Sequence, residues 1–147
     1  MRFLKTKLIA LLIIASTAFT ACSDDDPAPM AEVKVNNVAF SNGDDFNGDV
    51  DGDFTGDGGT ITKTFNWQNA LSTADYNADI TTTADGSFKF VVKDADGTVV
   101  LDKSLSGAIE PDSFSGVTSS GTAGLWSVTI TLTSFNGDGS FSLSEGN

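Results

Sequence analysis

The stretch LWSVTITLTS, residues Leu125 to Ser134, sets Trp126, Val128, Ile130 and Leu132 on one side of the chain and Ser127, Thr129, Thr131 and Thr133 on the other. In an extended chain successive side chains point to opposite faces, so this alternation predicts a strand with one face on a core and one in water. The next four residues, Asn136-Gly137-Asp138-Gly139, have the composition of a hairpin turn, because Asn and Gly tolerate the positive φ that a tight reversal needs. The chain is then expected to return through Phe141 and Leu143.

The same period recurs upstream. Ala31 to Phe40 carries Val33 and Val35 against Glu32 and Lys34, and Thr60 to Gln68 sets Ile61, Lys63, Phe65 and Trp67 against Thr62, Thr64 and Asn66. Asn77 to Thr83 is a Thr-rich strand candidate, and Gly86 to Asp94 puts Phe88, Phe90 and Val92 on one face. Asp94-Ala95-Asp96-Gly97 supplies a turn, and Thr98 to Leu105 returns with Val99, Leu101, Lys103 and Leu105 on one parity. Segments 81–84 and 113–123, rich in Ser, Thr and Gly, read as exposed loops, and Trp67 and Trp126 as core. About seven or eight strands without helical periodicity define an all-β fold. Its economical form is an antiparallel two-sheet β-sandwich, jelly-roll or immunoglobulin-like, in one domain over residues 31–147.

The beginning of the chain reads as an address. Arg2, Lys5 and Lys7 precede the apolar run Leu8 to Ala15, which is too short for a spanning helix and fits an export signal over residues 1–21. Phe19-Thr20-Ala21-Cys22 resembles the lipobox of bacterial lipoproteins, with Phe19 where that family most often has Leu. The resemblance implies cleavage before Cys22 and a covalent lipid on its sulfur. Cys22 is the sole Cys, so no internal disulfide forms. Ser23-Asp24-Asp25-Asp26 looks like the acidic surface-export signal of lipoproteins from Bacteroidota. It implies an outer-membrane lipoprotein facing outward, with residues 22–30 as an acidic, Pro-containing tether. Asp94 to Gly97, Gly121 to Val128 and Gly139 to Leu143 also resemble the ending of small jelly-roll or pre-peptidase-like sandwich modules. That resemblance implies a non-catalytic binding or accessory module.

Charge and composition narrow the chemistry. Three of the eight basic residues precede Cys22 and all twenty acidic ones follow it, which leaves the mature chain at a formal −15. Nucleic acid and anionic membrane surfaces are poor partners for such a chain, so attachment is expected through the outer-membrane lipid alone. With no His, the chain lacks the usual general base, and Glu32, Glu110 and Glu145 are its only Glu residues. We therefore expect no enzyme. The expected function is a lipid-anchored binding protein for protein or glycan; the alternative is a structural or spacer lipoprotein of the envelope.

Calcium is the chemistry that fits the most unusual stretch, NGDDFNGDVDGDFTGDGG over residues 42–59, with six Asp and six Gly. Asn47, Asp49, Asp51, Gly52 and Asp53 fall at positions 1, 3, 5, 6 and 7 of the EF-hand loop pattern, and Asp57 is placed to extend the shell. Gly58 stands where the bidentate Glu belongs, and no flanking helices are expected. The stretch is accordingly expected to be an insertion loop in the sandwich, calcium-binding or a mobile acidic spacer. Tyr76, expected between strands, is the candidate contact for a protein or glycan ligand.

Overall fold

A computed structural model describes residues 26–82 and 84–146. Cys22, the export signal at 1–21 and the start of the acidic tether lie outside the described residues. Among the described residues the fold is all-β, with nine strands: β1 (Met30–Val35), β2 (Val38–Ala39), β3 (Asp45–Asn47), β4 (Val50–Asn69), β5 (Ala74–Thr81), β6 (Ser87–Lys93), β7 (Val99–Ser106), β8 (Ser113–Val117) and β9 (Gly124–Glu145). They form one sheet, antiparallel except where β3 runs parallel to β4.

Two long strands organise it. β4 and β9 pair along their whole length, from Val50 opposite Leu143 to Asn69 opposite Gly124. The first part of β4 and the last part of β9 are flanked by β1 and β5, with β2 and β8 outside them. The other ends of the same two strands are flanked by β3 and β6, with β7 outside β6. We call these the acidic half and the threonine half. The ladder shifts register between Asp57 and Ile61, and the bulge places one positive φ on each strand, at Gly58 (74°) and Ser134 (45°). Bulges bend a strand and exchange its faces. In β4 the buried positions change from Val50, Gly52 and Phe54 to Phe65, Trp67 and Asn69; in β9 they change from Trp126, Val128, Ile130 and Leu132 to Phe135, Phe141 and Leu143.

Bending brings the two halves onto one core. Phe54 of the acidic half stacks on Phe88 of β6, ring centroids 4.6 Å apart, and Phe141 meets Phe90 edge-to-face at 5.4 Å. Trp67 and Trp126 pack edge-to-face at 5.9 Å, and their indole N–H groups donate to the carbonyls of Gly48 and Thr122. Both Trp are fully buried, as their parity predicts.

Several expected elements change. Residues 31–40 form a hairpin, β1 to β2, because Asn36 and Asn37 both take positive φ, 51° and 64°. Residues 50–59 are the opening of β4 and not a loop, and Asn136 to Gly139 continue β9 and do not reverse it. Residues 113–117, expected in a loop, pair with β5 as β8. In β7 a bulge opposite Val92 and Lys93 turns Val100 inward and leaves Val99 exposed.

Candidate functional site

Inward glycines explain how an Asp/Gly stretch becomes a strand. Gly52 faces Phe141 across the ladder and Phe54 faces Gly139. A Cβ at Gly52 would stand 2.1 Å from the nearest atoms of the Phe141 ring, and one at Gly139 2.4 Å from the Phe54 ring, both impossible contacts. Each aromatic ring therefore fills the volume that its cross-strand partner leaves empty, which offsets the entropy and packing that glycine loses in a strand.

The inward glycines leave the Asp residues outward. Register sets Lys34, Asp53, Ser140, Asp79 and Ser113 in one row across five strands. Asp51, Ser142, Asn77 and Ser115 form the row on one side, and Glu32, Thr55, Asp138 and Thr81 the row on the other. The result is a face of short carboxylate, hydroxyl and amide side chains. Ser140 Oγ donates to Asp79 Oδ1 at 2.6 Å, and Lys34 Nζ lies 2.9 Å from Glu32 Oε2. Both partners of that ion pair are exposed, so its contribution to stability is small.

The expected calcium ligands are placed apart. Asn47 ends β3, Asp49 lies before β4, and Asp51, Asp53 and Asp57 follow one another along the outer face of β4. Alternate residues of a strand are about 6.6 Å apart, which spreads these carboxylates along a line, whereas an EF-hand turn folds its ligands around a point. Among the described residues no group of three or more acidic, His or Cys side chains is close enough to hold a metal ion. Asp44 and Asp45 are occupied locally: Asp44 Oδ2 accepts the Ser41 N–H at 2.8 Å, and Asp45 Oδ1 accepts from Asn66 Nδ2 at 2.9 Å.

Tyr76 is in β5 and not in a loop. It faces Gly116 of β8, where a Cβ would stand 2.9 Å from its hydroxyl, and packs edge-to-face on Phe114 at 5.9 Å. Its ring is the third case of an aromatic covering a glycine in the acidic half. Two open grooves lie at the margins of this half, one at Met30, Ala31, Thr55 and Thr60, the other at Ile80, Ser106, Ile109 and Asp112; neither has an aromatic side chain in its lining.

Asp94 has a role that its place in a turn motif does not reveal. Its Oδ1 accepts the N–H groups of Asp96 (3.0 Å) and Thr98 (2.7 Å), closing the β6–β7 turn. Its Oδ2 accepts the Thr122 N–H at 2.9 Å, which ties that turn to the segment leading into β9. The Thr122 N–H above all, with those of Thr98, Asp96 and Gly97, holds the carboxyl below its usual range against the opposing effect of burial. This is a structural clamp. A Thr twenty-eight positions away in sequence gave no signal of it.

Comparison with protein families, curated proteins and solved structures finds no match for this chain.

Proposed function

We propose that this protein is a lipid-anchored, outward-facing, non-catalytic domain of the outer membrane, and that its acidic face docks a cationic protein. We infer that the bent sheet is a two-layer β-sandwich of jelly-roll or immunoglobulin-like type. Contacts such as Phe54 on Phe88 support that reading. One observation carries the function: the Asp51, Asp53, Asp79 and Asp138 carboxylates stand among Ser and Thr on one exposed face, with Lys34 the only cation in the three rows. Such a face attracts positive charge and accelerates encounter with it. A sugar ligand is less well served, because the rings of the acidic half are turned inward onto glycines.

Two measurements test this. Cys22→Ala is expected to move the protein from the membrane to the soluble fraction, and its retention in membranes would overturn the anchor. Separately, a lysine-rich peptide is expected to bind the purified domain with affinity that falls as salt rises. The triple variant Asp51→Asn, Asp53→Asn, Asp79→Asn should lose most of that binding while keeping its melting temperature. A second reading, a spacer lipoprotein, is favoured by the absence of aromatic side chains from the three rows, and it predicts no binding by either form.

A further inference from the structure

β8 ends one side of the sheet and pairs only with β5. We propose that its open edge binds the same edge of a second copy, joining two chains into one continuous sheet through antiparallel β8 strands related by a two-fold axis at Ser115.

The register shows which backbone groups the edge offers. Ile80 N–H donates to the Asp112 carbonyl and Thr118 N–H to the Ala74 carbonyl, both at 2.9 Å and both in the register that pairs Ala78 with Phe114 and Tyr76 with Gly116. In an antiparallel pair, hydrogen-bonded positions alternate with positions whose N–H and C=O point away. Phe114 and Gly116 therefore bond to β5, while Ser113, Ser115 and Val117 direct their backbone groups outward. Among the described residues no strand is hydrogen-bonded on that side.

Other edges are guarded and this one is not. β7 carries Asp102 and Lys103 at its centre, β1 carries Glu32 and Lys34, and β3 has only three residues, beginning with Asp45. Charged side chains and short length are how a sheet edge avoids pairing with another chain. β8, Ser113–Val117, has no charged residue.

The sequence Ser-Phe-Ser-Gly-Val identifies the occupant, because it complements itself. About a two-fold at Ser115, Ser115 faces Ser115 of the second copy, Ser113 faces its Val117, and Phe114 faces its Gly116. Ser113, Ser115 and Val117 meet their counterparts as hydrogen-bonded pairs, each exchanging two bonds. Phe114 and Gly116 meet as the closer, non-hydrogen-bonded kind, so each ring lies beside a residue with no side chain. This repeats between chains the pairing of Phe54 with Gly139 and of Phe141 with Gly52 within one. In the single chain Phe114 is half-buried, with Tyr76 at 5.9 Å and Phe88 at 6.3 Å, and Gly116 is exposed although Tyr76 stands on its β5 side. The second β8 covers the edge flank of both.

The two-fold is normal to the sheet, so both acidic faces look the same way. Asp75 beside Val117, and Asp79 beside Ser113 of the second copy, then stand three strand spacings apart, about 14 Å, beyond the Debye length of about 8 Å at physiological salt. Net charge still opposes association, since all twenty acidic residues but only five of the eight basic ones follow Cys22. Salt therefore strengthens the dimer, the opposite of its effect on a bound cationic peptide.

The test uses the purified full chain carrying Cys22→Ser, which removes the sole thiol and any lipid on it. Its mass by light scattering is expected to rise to twice that of one chain with concentration and with salt. Ser115→Pro removes an edge N–H that β5 does not use, a change that edge strands tolerate, and should return the mass to that of one chain while keeping the β-sheet circular dichroism. Ser115→Cys should cross-link two copies on mild oxidation, because hydrogen-bonded partners lie about 5.5 Å apart at Cα, within reach of a disulfide. Ser113→Cys should not, since its counterpart lies about 13 Å away along the strand. A single-chain mass at every concentration and salt would overturn the second copy as occupant, whatever else the edge binds. So would a dimer unaffected by Ser115→Pro, or equal cross-linking at 113 and 115. The cysteine pattern decides the question if the proline variant folds poorly.

Discussion

The two halves of the β4–β9 ladder make the same structure from different residues. In the threonine half the inner face is Phe65, Trp67, Trp126, Val128, Ile130 and Leu132, a large side chain at every position, beneath paired threonines such as Thr64 and Thr129, whose hydroxyl oxygens are 2.9 Å apart. In the acidic half the inner face alternates large and absent side chains, Phe54 over Gly139 and Phe141 over Gly52, beneath Asp and Ser. The difference shows that an inward strand position requires filled volume, and that the filling atoms can come from the strand opposite. It also separates two properties that usually travel together, burial and local hydrophobicity.

The sharpest way to break this comparison is to remove a ring from each half. Phe54→Ala and Trp67→Ala should each cost about 3–5 kcal/mol in denaturant unfolding, because both are fully buried large side chains. If Phe54→Ala were nearly silent, the acidic half would not be part of the core.

Filling a glycine is the next largest effect. Gly139→Ala should cost about 1–3 kcal/mol through overpacking against Phe54 and the Asp79 carbonyl. Combined with Phe54→Leu it should cost less than the sum of the two changes, since the residues share one space. Strict additivity would sink the idea that ring and glycine form a unit.

Acid reaches a different part of the molecule, the clamp at Asp94. A carboxyl whose folded pKa is depressed contributes stability that is present above its unfolded value, near 3.8, and is lost as pH falls through the lower folded value. The melting temperature should fall through this range in the unaltered chain and less steeply in Asp94→Asn. Equal slopes would show that other carboxylates carry the acid sensitivity.

The smallest effect is expected on the acidic face. Asp51→Asn with Asp53→Asn should change stability by no more than about 0.5 kcal/mol, as exposed substitutions away from special contacts do. Addition or chelation of calcium should leave the melting temperature of either form unchanged. A calcium-dependent rise in the unaltered chain alone would support calcium binding by these carboxylates.

Most of the threonine half was legible in the sequence. Strict alternation from Trp126 to Leu132 and from Phe88 to Val92 predicts the buried residues correctly, since each inward position there has its own large side chain. The acidic half was not legible by the same rule. Val50, Gly52, Phe54 and Gly56 do alternate with Asp51, Asp53, Thr55 and Asp57, but glycine beside aspartate carries a stronger turn signal than its parity does. What identifies it as core is Phe141, nearly ninety residues on, which a local reading does not see. The bulge at Gly58 and Ser134 hid the rest, because it changes the inward parity within each long strand. For the candidate site, the spacing of Asn47, Asp49, Asp51 and Asp53 was genuine, yet spacing has the geometry of an ion shell only on a chain that turns.

The pairing of β4 with β9 also orders events in time. β9 is the last of the described strands, and it lies between β4 and β5 in one half and between β4 and β6 in the other. A chain emerging from its N-terminus therefore holds β1 to β8 without the strand that joins them, and neither half can close early. The contacts that complete the sheet link residues far apart in sequence, and slow, topology-limited folding is expected from them. Truncation just after β8 should thus yield an unfolded chain, not a smaller domain.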